Sequence, residues 1–227
     1  MTPAGAAVLP DAGLATQLDE GLRALGLDLP APARERLQGY VALLARWNAV
    51  YNLTAIREPA RMVSHHLLDS LAALPVLDAI AAGRDRVRVL DVGSGAGLPG
   101  LPLAIARPAW QVTLREPVQK KVAFMTQAAA ELGVPNAVPS LGRVEDLRDE
   151  ARFAIVVSRA FADLASFVAS SLAHAAPDGR LVALKGLHPD EELRELPASV
   201  VVEREVALDV PGVGAARRAI VLRRSAR

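Results

Sequence analysis

Apolar residues recur along this chain in two rhythms. Between residues 14 and 86 the spacing is helical. Leu37, Tyr40, Val41, Leu44 and Trp47 fall at three- and four-residue steps and share one face. Asn52-Leu53-Thr54 interrupts that pattern. Pro59 suits the first turn of a further helix, which carries Met62, His66, Leu67 and Ser70. From Val87 the rhythm changes to short runs rich in β-formers that alternate with helical stretches. Strands are predicted over 87–92, 110–115, 137–141, 153–158, 180–185, 200–208 and 218–223. Helices are predicted near 98–107, 118–132, 163–175 and 189–195. Residues 1–13, rich in Ala, Pro and Gly, read as a poorly ordered tail. The chain thus divides into a tail (1–13), a helical N-terminal region (14–86) and an α/β domain (87–227).

The connections set the topology. The first five strands are joined by segments long enough to cross over, so they form a parallel sheet. The last two are linked only by Asp209 to Arg217, with Pro211, Gly212 and Gly214 in the link, which permits an antiparallel hairpin and no crossover. The predicted fold class is α/β: a Rossmann-like, seven-stranded, mostly parallel sheet with a terminal antiparallel hairpin.

Composition narrows the function. With 227 residues, 52% of them hydrophobic, the chain can bury the core of one large domain or of a domain with an appendage. No apolar run has the length of a membrane span, and the start lacks a secretory pattern, so no membrane partner is expected. There is no cysteine, hence no disulfide framework and no thiolate site, in keeping with a cytoplasmic location. A net charge of +1 means that any nucleic-acid contact must come from a local basic face.

The densest chemical signal is Asp91-Val92-Gly93-Ser94-Gly95-Ala96-Gly97-Leu98-Pro99-Gly100, a strand end turning into a helix start. Gly95-x-Gly97-x-x-Gly100 fits a dinucleotide fingerprint. Asp91, expected at the loop mouth, would repel a pyrophosphate and attract the ammonium and sulfonium of S-adenosylmethionine. A methyl-donor site is therefore the first reading, and an NAD(P)-dependent oxidoreductase the second. A parallel sheet ending in an antiparallel hairpin favours the first. Glu116, at the end of the second strand, suits the ribose hydroxyls. In Gly142-Arg143-Val144-Glu145-Asp146, Val144 can pack on an adenine and an acid can read its amine. Arg159 and Lys185 end the fourth and fifth strands on the edge where ligands sit in open α/β sheets.

Other chemistries lack their residues. His66 and Ser70 share a helix face, but no third strong ligand stands near, so no metal is expected and His66 reads as structural. No serine sits at a strained elbow, and no Walker lysine follows the loop. Carbon-5 methylation of cytosine needs a thiolate, and amino-group methylation usually shows Asn/Asp-Pro-Pro-aromatic where this chain has Ser158-Arg159-Ala160-Phe161. Guanine N7 needs neither device.

Trp47-Asn48-x-x-Tyr51-Asn52-Leu53-Thr54, His66-Leu67-Leu68-Asp69-Ser70, the glycine loop, Ser158-Arg159-Ala160-Phe161 and Leu184-Lys185-Gly186 occur in that order. Together they resemble the RsmG (GidB) family of bacterial small-subunit rRNA guanine-N7 methyltransferases, from about Leu37 to Leu222. The resemblance implies methyl transfer from S-adenosylmethionine to N7 of guanosine 527 in 16S rRNA, as free RNA or in the small ribosomal subunit. It implies a donor pocket lined by Asp91, Gly93, Gly95, Gly97, Leu98, Glu116, Val144, Glu145 and Arg159, with Arg159 positioning donor and target. Where the family usually has an apolar residue and often a serine around the acid, this chain has Arg115 and Pro117. Arg115, Arg143, Lys185, Arg217 and Arg218 are the expected RNA contacts, and the chain is expected to be a monomer. A non-catalytic RNA-binding module with a relic pocket is the third reading.

Overall fold

The apolar runs of the second half of the chain assemble into one seven-stranded sheet of order β3-β2-β1-β4-β5-β7-β6. In this computed structural model, which describes residues 12–148, 152–159, 161–186 and 189–226, the strands are β1 (Val87–Val92), β2 (Trp110–Glu116), β3 (Ala137–Leu141), β4 (Phe153–Ser158), β5 (Ala175–Lys185), β6 (Val200–Leu208) and β7 (Arg217–Arg224). The first five are parallel. β7 inserts antiparallel between β5 and β6, with Leu181 opposite Leu222 and Lys185 opposite Arg218. Strand order reverses between β1 and β4. The crevice at their carboxyl ends is the switch point where open α/β sheets hold ligands. Every residue of β4 is buried, as a central parallel strand requires.

Both faces of the sheet are covered. Alternation along β1 sends Val89 to one core and Leu90 to the other. On the first face α1 (Ala12–Ala24), α2 (Ala31–Tyr51), α3 (Pro59–Met62), α4 (Asp69–Leu71) and α5 (Leu74–Ala81) lie beside α6 (Gly100–Ala106) and α7 (Gln119–Glu131). Leu37, Tyr40, Leu44, Met62 and Leu67 join Leu101, Val112 and Phe124 in a single hydrophobic cluster. The N-terminal helices therefore have no separate core: their apolar faces close the sheet. On the second face α8 (Leu164–Ser171) and α9 (Asp190–Arg194) cover Leu90, Phe153, Val156 and Ile220.

Differences from the sequence reading sit at element ends. Ala12 and Gly13, assigned to the tail, begin α1; residues 1–11 lie outside the described ones. α6 starts at Gly100, because three glycines with positive φ keep the preceding segment out of helix. α8 starts after Asp163, whose carboxylate accepts the Ser166 N–H at 2.7 Å. Between α3 and α4 the backbone widens into a π-helix, Val63–Leu68, which no periodicity signalled.

Candidate functional site

β1 delivers the chain into the glycine loop at the switch point. Gly93 and Gly95 take φ of +72° and +58°, and a Cβ on either would meet no atom within 4 Å. That open cradle lets a ligand approach the backbone. At Gly100 a Cβ would fall 2.1 Å from Leu114 and 2.7 Å from Asp91 Oδ2, so there the glycine serves the close packing of α6 on the strands. The loop is tied down on several sides. Gly93 and Ser94 N–H donate to Arg115 O (2.9 and 3.1 Å), Gly95 N–H donates to Glu116 Oε2 (2.8 Å), and Gly100 N–H donates to Asp91 Oδ2 (2.9 Å).

Asp91 is not at the loop mouth, as its place in the sequence suggested. It lies fully buried beneath the loop, where Oδ2 caps the start of α6 and Oδ1 is sealed from solvent without a partner. Burial pushes its carboxyl up to about 7, against the pull of the Gly100 N–H and of Arg159. Any influence on a ligand is exerted through space. Glu116 is also buried. Its Oε1 accepts the Val118 N–H at 3.1 Å, so the N–H that Pro117 lacks is supplied one residue later. Gly97, Leu98 and Val144 are buried, and Glu145 is exposed on a 3-10 turn that spans Val144–Asp146.

Arg115 departs from its expected place on an RNA-facing surface. It is buried, and its guanidinium donates to Ser140 Oγ, Leu141 O and Arg143 O at 2.7, 2.7 and 2.9 Å. Three neutral acceptors compensate its desolvation, and it shapes the turn after β3. Arg143 is exposed, in an ion pair of 3.7 Å with Glu145.

Beside the loop, at the carboxyl edge, a cavity of about 360 Å³ is lined by His65, Asp69, Arg159, Lys185, Arg217 and Arg218 among others. Arg159 follows β4, which Ser158 fastens to β1 by an Oγ hydrogen bond to Val92 O at 2.8 Å. The Arg159 Nη1 group donates to His65 O and Asp69 Oδ2, both at 3.0 Å. Arg217 Nε donates to Asp69 Oδ1 at 2.8 Å. One buried carboxylate thus holds two arginines, one from the end of β4 and one from the start of β7. Lys185 pairs with Glu192 at 2.7 Å, and Arg218 with Glu205 at 3.5 Å. Asp69 and Glu192 escaped the sequence reading as site residues. The signal for Asp69 was an acid set among Leu67, Leu68 and Leu71, where burial would require a partner.

His66, which also lines this cavity, is held at both ring nitrogens. Thr54 Oγ1 accepts the Ile56 N–H and gives its proton to Nε2 at 2.9 Å, while Nδ1–H donates to His65 O at 3.1 Å. Burial, then the charge of Arg159, push its pKa down to about 4, so the ring is neutral at physiological pH. Asn48 anchors the same loop, giving its amide to Ile56 O and accepting the Thr54 N–H. Among the described residues no group of acids and histidines is placed to hold a metal, and no helix is long and apolar enough to cross a membrane.

Comparison with known proteins gives a consistent result. Residues 33–221 match the model of the GidB family, described as rRNA small subunit methyltransferase G. Proteins named ribosomal RNA small subunit methyltransferase G are similar over most of the chain. The one from Cupriavidus pinatubonensis is 48% identical, covering 96% of this chain and 97% of its own. The one from Ralstonia nicotianae is 50% identical, covering 93% and 96%. The one from Burkholderia thailandensis is 52% identical, covering 89% and 88%. Among solved structures, the glycopeptide N-methyltransferase MtfA superposes with a TM-score of 0.56 at 16% identity, over 69% of this chain and 96% of that one. TrmN from Thermus thermophilus gives 0.52 at 23% identity, over 72% and 53%. At such identities these two speak for the fold alone.

Proposed function

The chain belongs to the rRNA small subunit methyltransferase G family, and from that premise we propose how two adjoining recesses divide the work of methylating 16S rRNA. The family replaces the dinucleotide oxidoreductase reading of the glycine loop. It makes the chain an enzyme that methylates 16S rRNA, not a relic binding module.

S-adenosylmethionine, when bound, supplies a methyl group on a sulfonium, a leaving group that needs no further activation. The residues at the switch point fit it. Gly93 and Gly95 leave an open cradle beside the backbone, and Glu116 presents a buried carboxylate to a ribose. Val144 and Glu145 flank the adenine end. The neighbouring cavity takes the target nucleotide, which we propose is guanosine 527, methylated at N7. A guanine N7 carries a lone pair and no proton, so transfer of the donor's methyl group to it would need no general base, and the residues here would have only to bind and orient donor and target.

Arg159 is the positioning group, because Asp69 and the His65 carbonyl fix its guanidinium where the two recesses meet. Arg143, Lys185, Arg217 and Arg218 would meet RNA phosphates, and the chain would act as a monomer in the cytoplasm. The observation that carries this reading is that β1 and β4 pair side by side, with Asp91 opposite Val157, so that the glycine loop and Arg159 leave neighbouring strand ends. The test is mass spectrometry of 16S rRNA from a strain lacking the modification, incubated both as free RNA and as small ribosomal subunits with the enzyme and isotope-labelled donor. A label on N7 of guanosine 527 supports it; a label elsewhere, or none, rejects it.

A further inference from the structure

We infer that Tyr40, in the N-terminal helical region, is a positioning residue for the donor: its hydroxyl holds the Ala96 carbonyl and so sets the shape of the glycine loop from below. The inference rests on the reading that this loop binds S-adenosylmethionine.

Tyr40 is the largest fully buried side chain of α2, and its hydroxyl needs a partner in the interior. That partner lies outside its own helix. The hydroxyl donates to Ala96 O at 2.8 Å, across 56 residues of sequence. The ring cannot swing away. Phe124 of α7 meets it edge-on, with centroids 6.0 Å apart, and Phe124 is itself braced by Trp47 at 5.6 Å. A rigid helix thus presents one fixed donor to the middle of the loop. Burial pushes the phenol up, out of reach of physiological ionisation, so it acts as a hydrogen-bond donor and not as an acid or base.

The loop needs such a fixture. Three glycines at positive φ make it intrinsically broad in conformation. The anchor on the ligand side, Glu116 to the Gly95 N–H, is the same carboxylate that the ribose would engage. The neighbouring residue, Ala96, is buried and turned inward, away from the open side of Gly93 and Gly95. Its tie to Tyr40 does not compete with the ligand. When the ribose draws on Glu116, Tyr40 still holds the loop's middle in place.

Tyr40→Phe removes one oxygen and keeps the ring. The expected result is roughly five- to tenfold weaker binding of S-adenosylhomocysteine by calorimetry, from the loss of one buried hydrogen bond. The KM for the methyl donor should rise in step, while KM for RNA and single-turnover rate at saturating donor stay within about twofold. Leu37→Val, at another fully buried position of α2, is the packing control: it should lower Tm and leave donor affinity within about twofold. Tyr40→Phe with lowered Tm and unchanged affinity would make the hydroxyl merely structural and overturn the inference. Equal losses of affinity in both variants would assign the effect to packing and overturn it too. If the native protein itself does not bind S-adenosylhomocysteine, the donor-loop reading fails instead.

Discussion

A carboxyl sealed beneath a loop is a different chemical object from one at its mouth, and Asp91 shows the difference. Its value of about 7 in the folded protein lies above the ordinary 3.8. The native state therefore keeps a proton that the unfolded chain has released between about pH 4 and pH 7. The stability this group contributes is present below about pH 4 and is lost as pH rises to about 7. Asp91→Asn keeps an acceptor for the Gly100 N–H and carries no charge. Its Tm relative to the native protein should climb through that window, measured by thermal denaturation in steps of pH. His66, pushed down to about 4, works in the opposite sense: its contribution is lost as pH falls from about 6.5. Both proteins share it, so it cancels in the comparison. A difference in Tm that does not change with pH would mean Asp91 is ionised in the fold. At Gly93 the space is open but φ is +72°. Gly93→Val should cost roughly 1–3 kcal/mol of backbone strain and still fold, yet fill the cradle and abolish binding of S-adenosylhomocysteine. A folded Gly93→Val protein with native affinity would remove the loop from the donor site.

Strands were legible at the scale of the element, because four of the six residues of β1 are apolar and Phe153–Val157 is an unbroken apolar run, and because the eight residues between β6 and β7 permit a hairpin and no crossover. The glycine loop was legible for the same local reason. What the sequence concealed was set by partners far along the chain. Arg115 looks like a surface cation until β3 and the turn after it supply three acceptors. Asp69 looks like one polar residue of a helix until Arg159 and Arg217 converge on it from 90 and 148 residues away. The π-helical stretch before Asp69 is equally silent in periodicity, yet it carries the His65 carbonyl that Arg159 uses. Lys185 is the clearest case. As a strand-end lysine it reads as an RNA contact, but Glu192 of α9 pairs with it while also accepting the Leu164 N–H at 2.8 Å. An RNA phosphate must displace that carboxylate. Glu192→Gln keeps an acceptor for Leu164 and frees the ammonium. RNA affinity at low salt should rise, and the log–log salt slope should steepen by about 0.7, the share of one single-strand phosphate. Lys185→Met in the Glu192→Gln background should flatten it again by a similar amount. Fluorescence anisotropy across a salt series reads both, and two unchanged slopes would take Lys185 off the RNA surface.

Over the whole molecule, charge is nearly balanced, and the described basic residues of the cavity are held by acids: Arg159 and Arg217 by Asp69, Lys185 by Glu192, Arg218 by Glu205. Arg159 lies at the centre of this field, and its charge is felt at Asp91, Tyr40 and His66. The helical region, the loop and the cavity are thus one electrostatic unit, and the buried carboxyl of Asp91 ties it to pH. His66 stays neutral above about pH 5, since its value is about 4, and guanine N7 has no proton to lose. Asp91, at about 7, titrates within the working range. Its ionised form would attract the sulfonium and ammonium of a donor in the proposed site through a poorly screened interior, so donor affinity should rise as pH goes from about 5.5 to 7.5. By linkage, the bound donor should lower the Asp91 pKa in turn. The rise should be larger for S-adenosylmethionine than for S-adenosylhomocysteine, which lacks the sulfonium charge, and it should vanish in Asp91→Asn. Single-turnover methylation with donor and RNA saturating should stay flat over the same range. Calorimetry and rapid quench measure the two quantities separately. A flat affinity would show that Asp91 acts only as a cap on α6. A bell-shaped rate that disappears in His66→Ala would reveal a general base, and neither positioning catalysis nor the assignment of N7 would survive it.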